Sequence, residues 1–168
     1  MVRECVALSA VALLPACSLI LDFNEASPHD ASIDAPYTQA ECDYMEPNDS
    51  VATATMITAT DIGPAAICKP PVGNPEDADF YKFTAASATV TVGISFTNRP
   101  GGDLDIKLLK ASDSTMVSQS RGFGDGESIT CPGAAPSCNA LTVGEDYVLQ
   151  VFPAVPGSVN SYTITLMP

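Results

Sequence analysis

Residues 88–96 read ATVTVGISF, and this stretch decides the class of fold. Apolar side chains recur at every second position from Val90 to Phe96, so a strand would place them all on one face. The same alternation, rich in β-branched and aromatic residues, recurs at 78–84, 104–108, 147–152 and 162–166. Two weaker strands are expected at 115–118 and 127–130. Turn-forming residues separate these segments at 98–102, 122–126, 144–146 and 156–158. The pattern predicts an all-β fold, an antiparallel β-sandwich of about eight strands.

Composition narrows the function classes. The chain has 168 residues, with 7 Lys and Arg against 20 Asp and Glu, a formal net charge of -13. This balance excludes the clustered basic surface that nucleic-acid binding requires, so no nucleic-acid partner is expected. The single histidine, His29, leaves little scope for His-based catalysis or a His-ligated metal. Helical structure is expected only as a short turn within residues 49–60.

The N-terminus predicts export. Residues 5–14 form a short apolar run, and Leu14-Pro-Ala-Cys17 follows it. This arrangement resembles a bacterial lipobox, in which the peptide is cut before the cysteine and the thiol carries diacylglycerol. It predicts a signal peptide at 1–16, a lipidated Cys17 and a lipid anchor in the membrane. The expected location is the cell envelope, as an outer membrane lipoprotein or on the cell surface. An uncleaved anchor over 5–21 is the alternative.

An acidic spacer follows the presumed lipid site. Residues 22–41 contain five acidic residues and no basic ones, and Ala, Ser and Pro occupy most other positions. No helix or strand period is present, which is typical of a flexible tether. We therefore divide the chain into a signal peptide at 1–16, a tether at 17–43 and a domain at 44–168. His29 lies in the tether.

Four cysteines fall outside the signal and the lipid site. Four cysteines allow three disulfide connectivities. We favour Cys42–Cys68 and Cys131–Cys138, because the second pair closes a short turn-rich loop and the first ties the chain entry to the next segment. A zinc site is the rival interpretation, but it usually uses Cys-x-x-Cys pairs, and the sequence has none.

Several motifs together resemble a known family. Residues 46–50 read EPNDS and residues 77–83 read DADFYKF. They are followed in order by LDIKL at 104–108, YVLQV at 147–151 and SYTITL at 161–166. Over about residues 44–168 this order resembles the bacterial pre-peptidase C-terminal (PPC) domain. The resemblance implies a jelly-roll-like β-sandwich without catalytic residues.

The resemblance also implies a calcium site. The related collagen-binding domains of clostridial collagenases bind calcium through the opening acidic motif and a later acidic loop. The positions of this sequence that match are Glu46, Asn48, Asp49, Glu76, Asp77 and Asp79. Carboxylate and amide oxygens are the ligands that calcium prefers. Tyr44 replaces an acidic residue of the family pattern. The alternative is a structural role. In that case Asn48 and Asp49 would cap a helical turn, and Asp79 would form a hydrogen bond with the backbone of a turn.

These features predict a non-enzymatic, membrane-tethered binding or accessory module of the bacterial envelope, stabilised by calcium. Its partner would be an extracellular protein or a polysaccharide. A structural or envelope-assembly lipoprotein that packs against a protein partner is the alternative. A glycan-active hydrolase using a carboxylate pair is a distant third.

Overall fold

The computed structural model describes residues 37–42, 44–58, 62–70, 76–133 and 138–168. The predicted signal peptide, Cys17 and most of the predicted tether lie outside the described residues. One short helix and nine strands are present within the described ranges: α1 Gln39–Cys42, β1 Thr55–Met56, β2 Ile62–Ile67, β3 Asp79–Thr84, β4 Val90–Ser95, β5 Leu104–Lys110, β6 Met116–Ser120, β7 Gly126–Cys131, β8 Asp146–Pro153 and β9 Asn160–Met167.

The strands form two packed sheets. One sheet has the order β1-β3-β8-β5-β6 and the other has the order β2-β9-β4-β7. Every pair is antiparallel except β1 with β3, which is parallel. The predicted β-sandwich is confirmed, and the nine strands agree with the expected number of about eight.

The core lies between the sheets and follows the period of two. Val90, Val92 and Ile94 of β4 are buried, as the alternation predicts. They face side chains from the other sheet, among them Leu104, Ile106, Leu108, Leu149 and Val151, in one continuous cluster. Burying these apolar faces is the main force that holds the sheets together.

The helical segment differs from the expectation. Residues 49–60 were expected to hold a helical turn, but they form a turn at 49–53 and then strand β1. The helix is α1, which ends at the disulfide-bonded Cys42. Within the described residues, no helix is long and apolar enough to cross a membrane.

Both predicted disulfides are present. Cys42 pairs with Cys68 and Cys131 pairs with Cys138, with Cα atoms 5.9 and 5.1 Å apart. The first bridge joins α1 to the end of β2. Beside it, the backbone N–H of Lys69 donates a hydrogen bond to the hydroxyl of Tyr37 at 3.1 Å. The last residues of the predicted tether, 37–42, therefore pack on the sandwich.

Candidate metal centre

The opening segment of the domain lies beside the first residues of β3. The backbone N–H of Phe80 donates to the carbonyl of Asn48 at 2.9 Å. The hydroxyl of Thr55 donates to the carbonyl of Met45 at 2.9 Å. Met45 has a positive φ of 62°, which turns the chain sharply before Glu46. These contacts bring the EPNDS motif to the start of the DADFYKF motif.

Three carboxylates converge where the two motifs meet. Glu46, Asp49 and Asp77 each place an oxygen within 4.8 Å of the other two. Glu46 and Asp49 are exposed, whereas Asp77 is half-buried. Asp77 Oδ2 accepts a hydrogen bond from the N–H of Cys68 at 2.6 Å. The group is therefore open to solvent on one side and tied to the Cys42–Cys68 bridge on the other.

Asn48 and Asp79 lie on the buried side of this group. Both are almost fully buried. The end of the Asn48 amide faces Glu46 Oε1 and Asp79 Oδ1, at 3.3 and 3.1 Å. With its nitrogen turned this way, the amide donates to both carboxyl groups; with its oxygen turned this way, it adds a third acceptor to the cluster.

The second oxygen of Asp79 is used inside the core. Oδ2 accepts a hydrogen bond from the hydroxyl of Tyr162 and lies 3.4 Å from the hydroxyl of Tyr81. The two hydroxyls are 2.7 Å apart. Tyr81 belongs to β3 and Tyr162 to β9, so this cluster joins the two sheets.

Electrostatics disfavour the fully ionised cluster. Burial raises the pKa of Asp79 to about 8, and the charges of Asp77 and Glu46 add to the effect. Burial is also the main cause that raises the pKa of Asp77 and that of Glu46, with a further contribution from the nearby Asp49. Like charges at short distance disfavour ionisation, and a cation between them would offset the repulsion.

The predicted ligands are not all brought together. Five of the six sequence-predicted residues, Glu46, Asn48, Asp49, Asp77 and Asp79, lie in this cluster. The sixth, Glu76, is exposed, and its Oε1 accepts from the N–H of Gly157 at 2.9 Å. Its carboxylate is not in the converging group.

The donor set fits a hard divalent cation. Carboxylate and amide oxygens are the chemistry of Ca²⁺, which takes six to eight oxygens, whereas zinc prefers nitrogen and sulfur. The sulfurs of Cys42, Cys68, Cys131 and Cys138 are all in disulfides. Each of the three carboxylates can offer one or two oxygens, and the Asn48 amide can offer one more. Together they approach the lower end of the six to eight oxygens that Ca²⁺ takes.

Sequence reasoning missed the partners of Asp79. Asp79 and Tyr81 share a face of β3 because they are two residues apart, a signal that the alternation already carried. Tyr162 is 83 residues away, and no local pattern indicates that it meets Asp79. Tyr81 and Tyr162 are both buried in the core.

A second acidic pair, Asp103 and Asp105, lies at the start of β5. Asp105 is buried and lies 3.8 Å from the guanidinium of Arg121. The same guanidinium stands over the ring of Phe152, 5.2 Å from its centroid. Asp105 is therefore buried in a structural contact, although the alternation over residues 104–108 predicts that it faces solvent.

Solved structures that resemble this chain include a domain of a bacterial collagenase. The chain is similar to a pre-peptidase C-terminal domain. The relative is the pre-peptidase C-terminal domain of a collagenase from Bacillus anthracis, at 16% identity and a TM-score of 0.48. The match covers 68% of this chain and 94% of that one. No family model and no curated protein sequence matches the chain.

At 16% identity and a TM-score of 0.48, this likeness says nothing about what the chain binds. Binding properties of this chain have to be argued from its own residues.

Proposed function

We propose that this chain is a non-catalytic β-sandwich module whose opening segment is fastened to the sandwich by calcium. The observation that carries the proposal is the convergence of Glu46, Asp49 and Asp77 within 4.8 Å, with the buried Asn48 behind them. Two of these carboxylates come from the opening motif and one from the segment before β3. A cation held by all three would join the two segments.

Calcium is the divalent ion favoured by this cluster. Its flexible geometry at 2.3–2.6 Å suits oxygens that come from three separate side chains. Mg²⁺ demands near-ideal octahedral geometry and loses its water reluctantly, so a partly exposed group of this kind holds it less tightly. The exposed sides of Glu46 and Asp49 leave room for water ligands.

The buried Asn48 can turn either the nitrogen or the oxygen of its amide toward the site. Without a cation, the Asn48 amide donates to Glu46 and Asp79 and relieves their repulsion. With a cation, the amide turns its oxygen toward the ion, and Asp79 remains fixed by Tyr162.

Calorimetric titration of the full chain with CaCl₂ tests the proposal. We expect one calcium ion per chain, and affinity at least tenfold lower in each of Asp49→Asn and Asp77→Asn. Asp113→Asn removes an exposed carboxylate in the turn between β5 and β6 and serves as the matched control, with affinity unchanged. Absence of binding, or equal loss in the control, would refute the calcium site.

We also propose that the module is held at the bacterial envelope by lipid on Cys17. The lipobox-like residues 14–17 and the acidic spacer after them support this. Several acyl chains anchor a protein stably, whereas one does not. Mass spectrometry of the N-terminal peptide should find Cys17 as the first residue with acyl groups attached. Cys17→Ser should release the chain from the membrane fraction, and retention of this variant there would contradict the anchor.

We infer from the composition of the domain that it has no active centre. The chain's one histidine, His29, precedes the domain, and the carboxylates that converge within the described residues are those assigned to calcium. A sandwich fold by itself carries no activity. Turnover of a polysaccharide by the purified chain, lost on replacement of one carboxylate, would contradict this part of the proposal.

A further inference from the structure

The two disulfides differ in their exposure to solvent. Cys131 and Cys138 are buried, with exposed fractions of 1% and 7%. Cys42 and Cys68 are both partly exposed. A reductant opens a disulfide by bringing a thiolate into contact with one of the two sulfurs, so the rate depends on access to that sulfur. Of the two bridges, Cys42–Cys68 is therefore the one that a reductant in solution reaches more easily.

The Cys42–Cys68 bridge joins the two chain segments that carry the proposed calcium ligands. Glu46 and Asp49 follow Cys42 along the opening segment, and Asp77 follows Cys68. The bridge therefore ties the start of one ligand-bearing segment to the start of the other. A cross-link of this kind limits the positions that the ligands can take before the cation binds, which lowers the entropy cost of binding.

Asp77 also depends on the bridge through a direct contact. Its Oδ2 accepts a hydrogen bond from the N–H of Cys68 at 2.6 Å, and a bond to a carboxylate is among the stronger hydrogen bonds. Strand β2 ends at Ile67, which is paired with β9, so Cys68 lies just beyond the ladder. The bridge to Cys42 fixes Cys68 at this position, and Cys68 in turn orients the Asp77 carboxylate.

The opening segment has other attachments that do not depend on the bridge. The N–H of Phe80 donates to the carbonyl of Asn48, and the hydroxyl of Thr55 donates to the carbonyl of Met45. Tyr44 and Met45 pack against the core. Because these contacts remain when the bridge opens, we expect reduction to loosen the calcium ligands without unfolding the domain.

We propose that the Cys42–Cys68 bridge is a redox control of the calcium site, an inference that rests on the calcium site proposed above. With the bridge closed, the ligands are held in place and calcium binds more tightly than it does with the bridge open. Coupling between two sites is reciprocal, so bound calcium protects the bridge from reduction by the same factor. We expect a factor of about ten, which lies within the usual range for coupled sites.

The reductant in this proposal is a dithiol. One of its thiolates attacks a sulfur of the bridge, the S–S bond breaks and a mixed disulfide forms. The second thiolate of the reductant then displaces the sulfur of the chain and closes a disulfide within the reductant. Two electrons pass to the chain, and the two protons of the dithiol end on the thiols of Cys42 and Cys68. The reaction does not consume the cation.

Calorimetric titration of the full chain with CaCl₂ tests the effect of the bridge on calcium. We expect the double variant Cys42→Ser, Cys68→Ser to bind calcium about tenfold less tightly than the unchanged chain. The double variant Cys131→Ser, Cys138→Ser is the matched control, because it removes a bridge on β7, at the opposite edge of the sheet from β2. Its affinity for calcium should be unchanged. Circular dichroism checks that both variants are folded.

Redox titration of the unchanged chain tests the effect of calcium on the bridge and needs no cysteine variant. The chain is equilibrated with mixtures of reduced and oxidised dithiothreitol, in saturating CaCl₂ or in chelator, and free thiols are alkylated and located by mass spectrometry. The ratio of reduced to oxidised dithiothreitol that opens half of the Cys42–Cys68 bridges should be about tenfold higher in calcium. This shift should vanish in Asp77→Asn, and Cys131–Cys138 should show none.

The outcomes separate this inference from the calcium site itself. If the oxidised, unchanged chain does not bind calcium, both proposals fail. If it binds calcium, but equally well without the Cys42–Cys68 bridge or with the same half-opening ratio in calcium and in chelator, the redox control alone is overturned. An equal shift at both bridges also overturns it, because calcium would then act by stabilising the whole fold.

Discussion

Asp79, Tyr81 and Tyr162 form a buried polar cluster between the two sheets. Tyr162 makes the close hydrogen bond to Asp79, whereas the hydroxyl of Tyr81 is 3.4 Å away and bonds mainly to Tyr162. Removing a partner from a buried carboxyl leaves it unsatisfied, which costs more than losing a bond between hydroxyls.

We therefore expect Tyr162→Phe to lower the free energy of unfolding by about 1–3 kcal/mol. Tyr81→Phe should lower it by about 0.5–1.5 kcal/mol. Urea denaturation of both variants in a calcium chelator measures the difference. Equal losses, or a larger loss in Tyr81→Phe, would show that Tyr162 is not the principal partner of Asp79.

The raised pKa of Asp105 predicts a pH dependence of stability that is separate from the metal centre. Burial raises its pKa from the usual 3.8 to about 6, although the neighbouring Arg121 opposes the rise. The folded state then keeps a proton that the unfolded chain releases. The stability from this group is fully present below pH 3.8 and is lost as pH rises to about 6.

The stability difference between the unchanged chain and Asp105→Asn isolates this effect. As pH rises from 3.5 to 7, the free energy of unfolding of the unchanged chain should fall by up to about 3 kcal/mol relative to that of Asp105→Asn. Urea denaturation at a series of pH values measures it. A difference that stays constant over this range would contradict the assignment.

Individual site residues were predictable only in part. The resemblance of EPNDS and DADFYKF to the family motifs implied that these side chains carry oxygen ligands. Their convergence depends on the backbone contact between Asn48 and Phe80 and on the turn at Met45. Glu76 shows the limit: it matches the motif, yet it faces Gly157.

The two disulfides close segments of the chain that differ in length. Cys42–Cys68 closes a separation of 26 residues and holds the chain entry against β2, next to Asp77. Cys131–Cys138 closes only 7 residues at the end of β7. In the chain-entropy model, the longer loop gains more from its cross-link.

Replacing Cys42 and Cys68 with serine should lower the free energy of unfolding by about 3.5 kcal/mol. The same change at Cys131 and Cys138 should lower it by about 2.4 kcal/mol. Guanidinium denaturation of the two double variants compares them. A larger loss from the shorter loop would mean that native contacts, rather than chain entropy, set the order.

Strands with a clear period of two were found from the sequence, and the two weaker ones at 115–118 and 127–130 correspond to β6 and β7. Residues 78–84 include β3, and residues 162–166 fall within β9. Strand β2 was missed because Gly63 and Pro64 interrupt it, and its register shifts between Ile62 and Ala65. Its place beside β9 depends on pairing between residues about 95 apart along the chain, which no local pattern reveals.

The whole molecule combines a strongly acidic chain with a sandwich against which the opening segment is held by a disulfide, hydrogen bonds and the packing of Tyr44 and Met45 on the core. The bridge between Cys42 and Cys68 is one attachment, and the hydrogen bond between Phe80 and Asn48 is another. The carboxylates of Glu46, Asp49 and Asp77 meet at the same place, where their mutual repulsion opposes closure. Calcium would turn this repulsion into a further attachment.

The melting temperature of the full chain, measured in CaCl₂ and again in excess chelator, tests this most directly. At a calcium concentration 100 times Kd, binding adds about 2.7 kcal/mol, which corresponds to a rise of about 5–10 °C for a domain of this size. We predict that rise for the unchanged chain and for Asp113→Asn, and its loss in Asp77→Asn. Identical melting of the unchanged chain with calcium and with chelator would contradict the calcium-fastened sandwich.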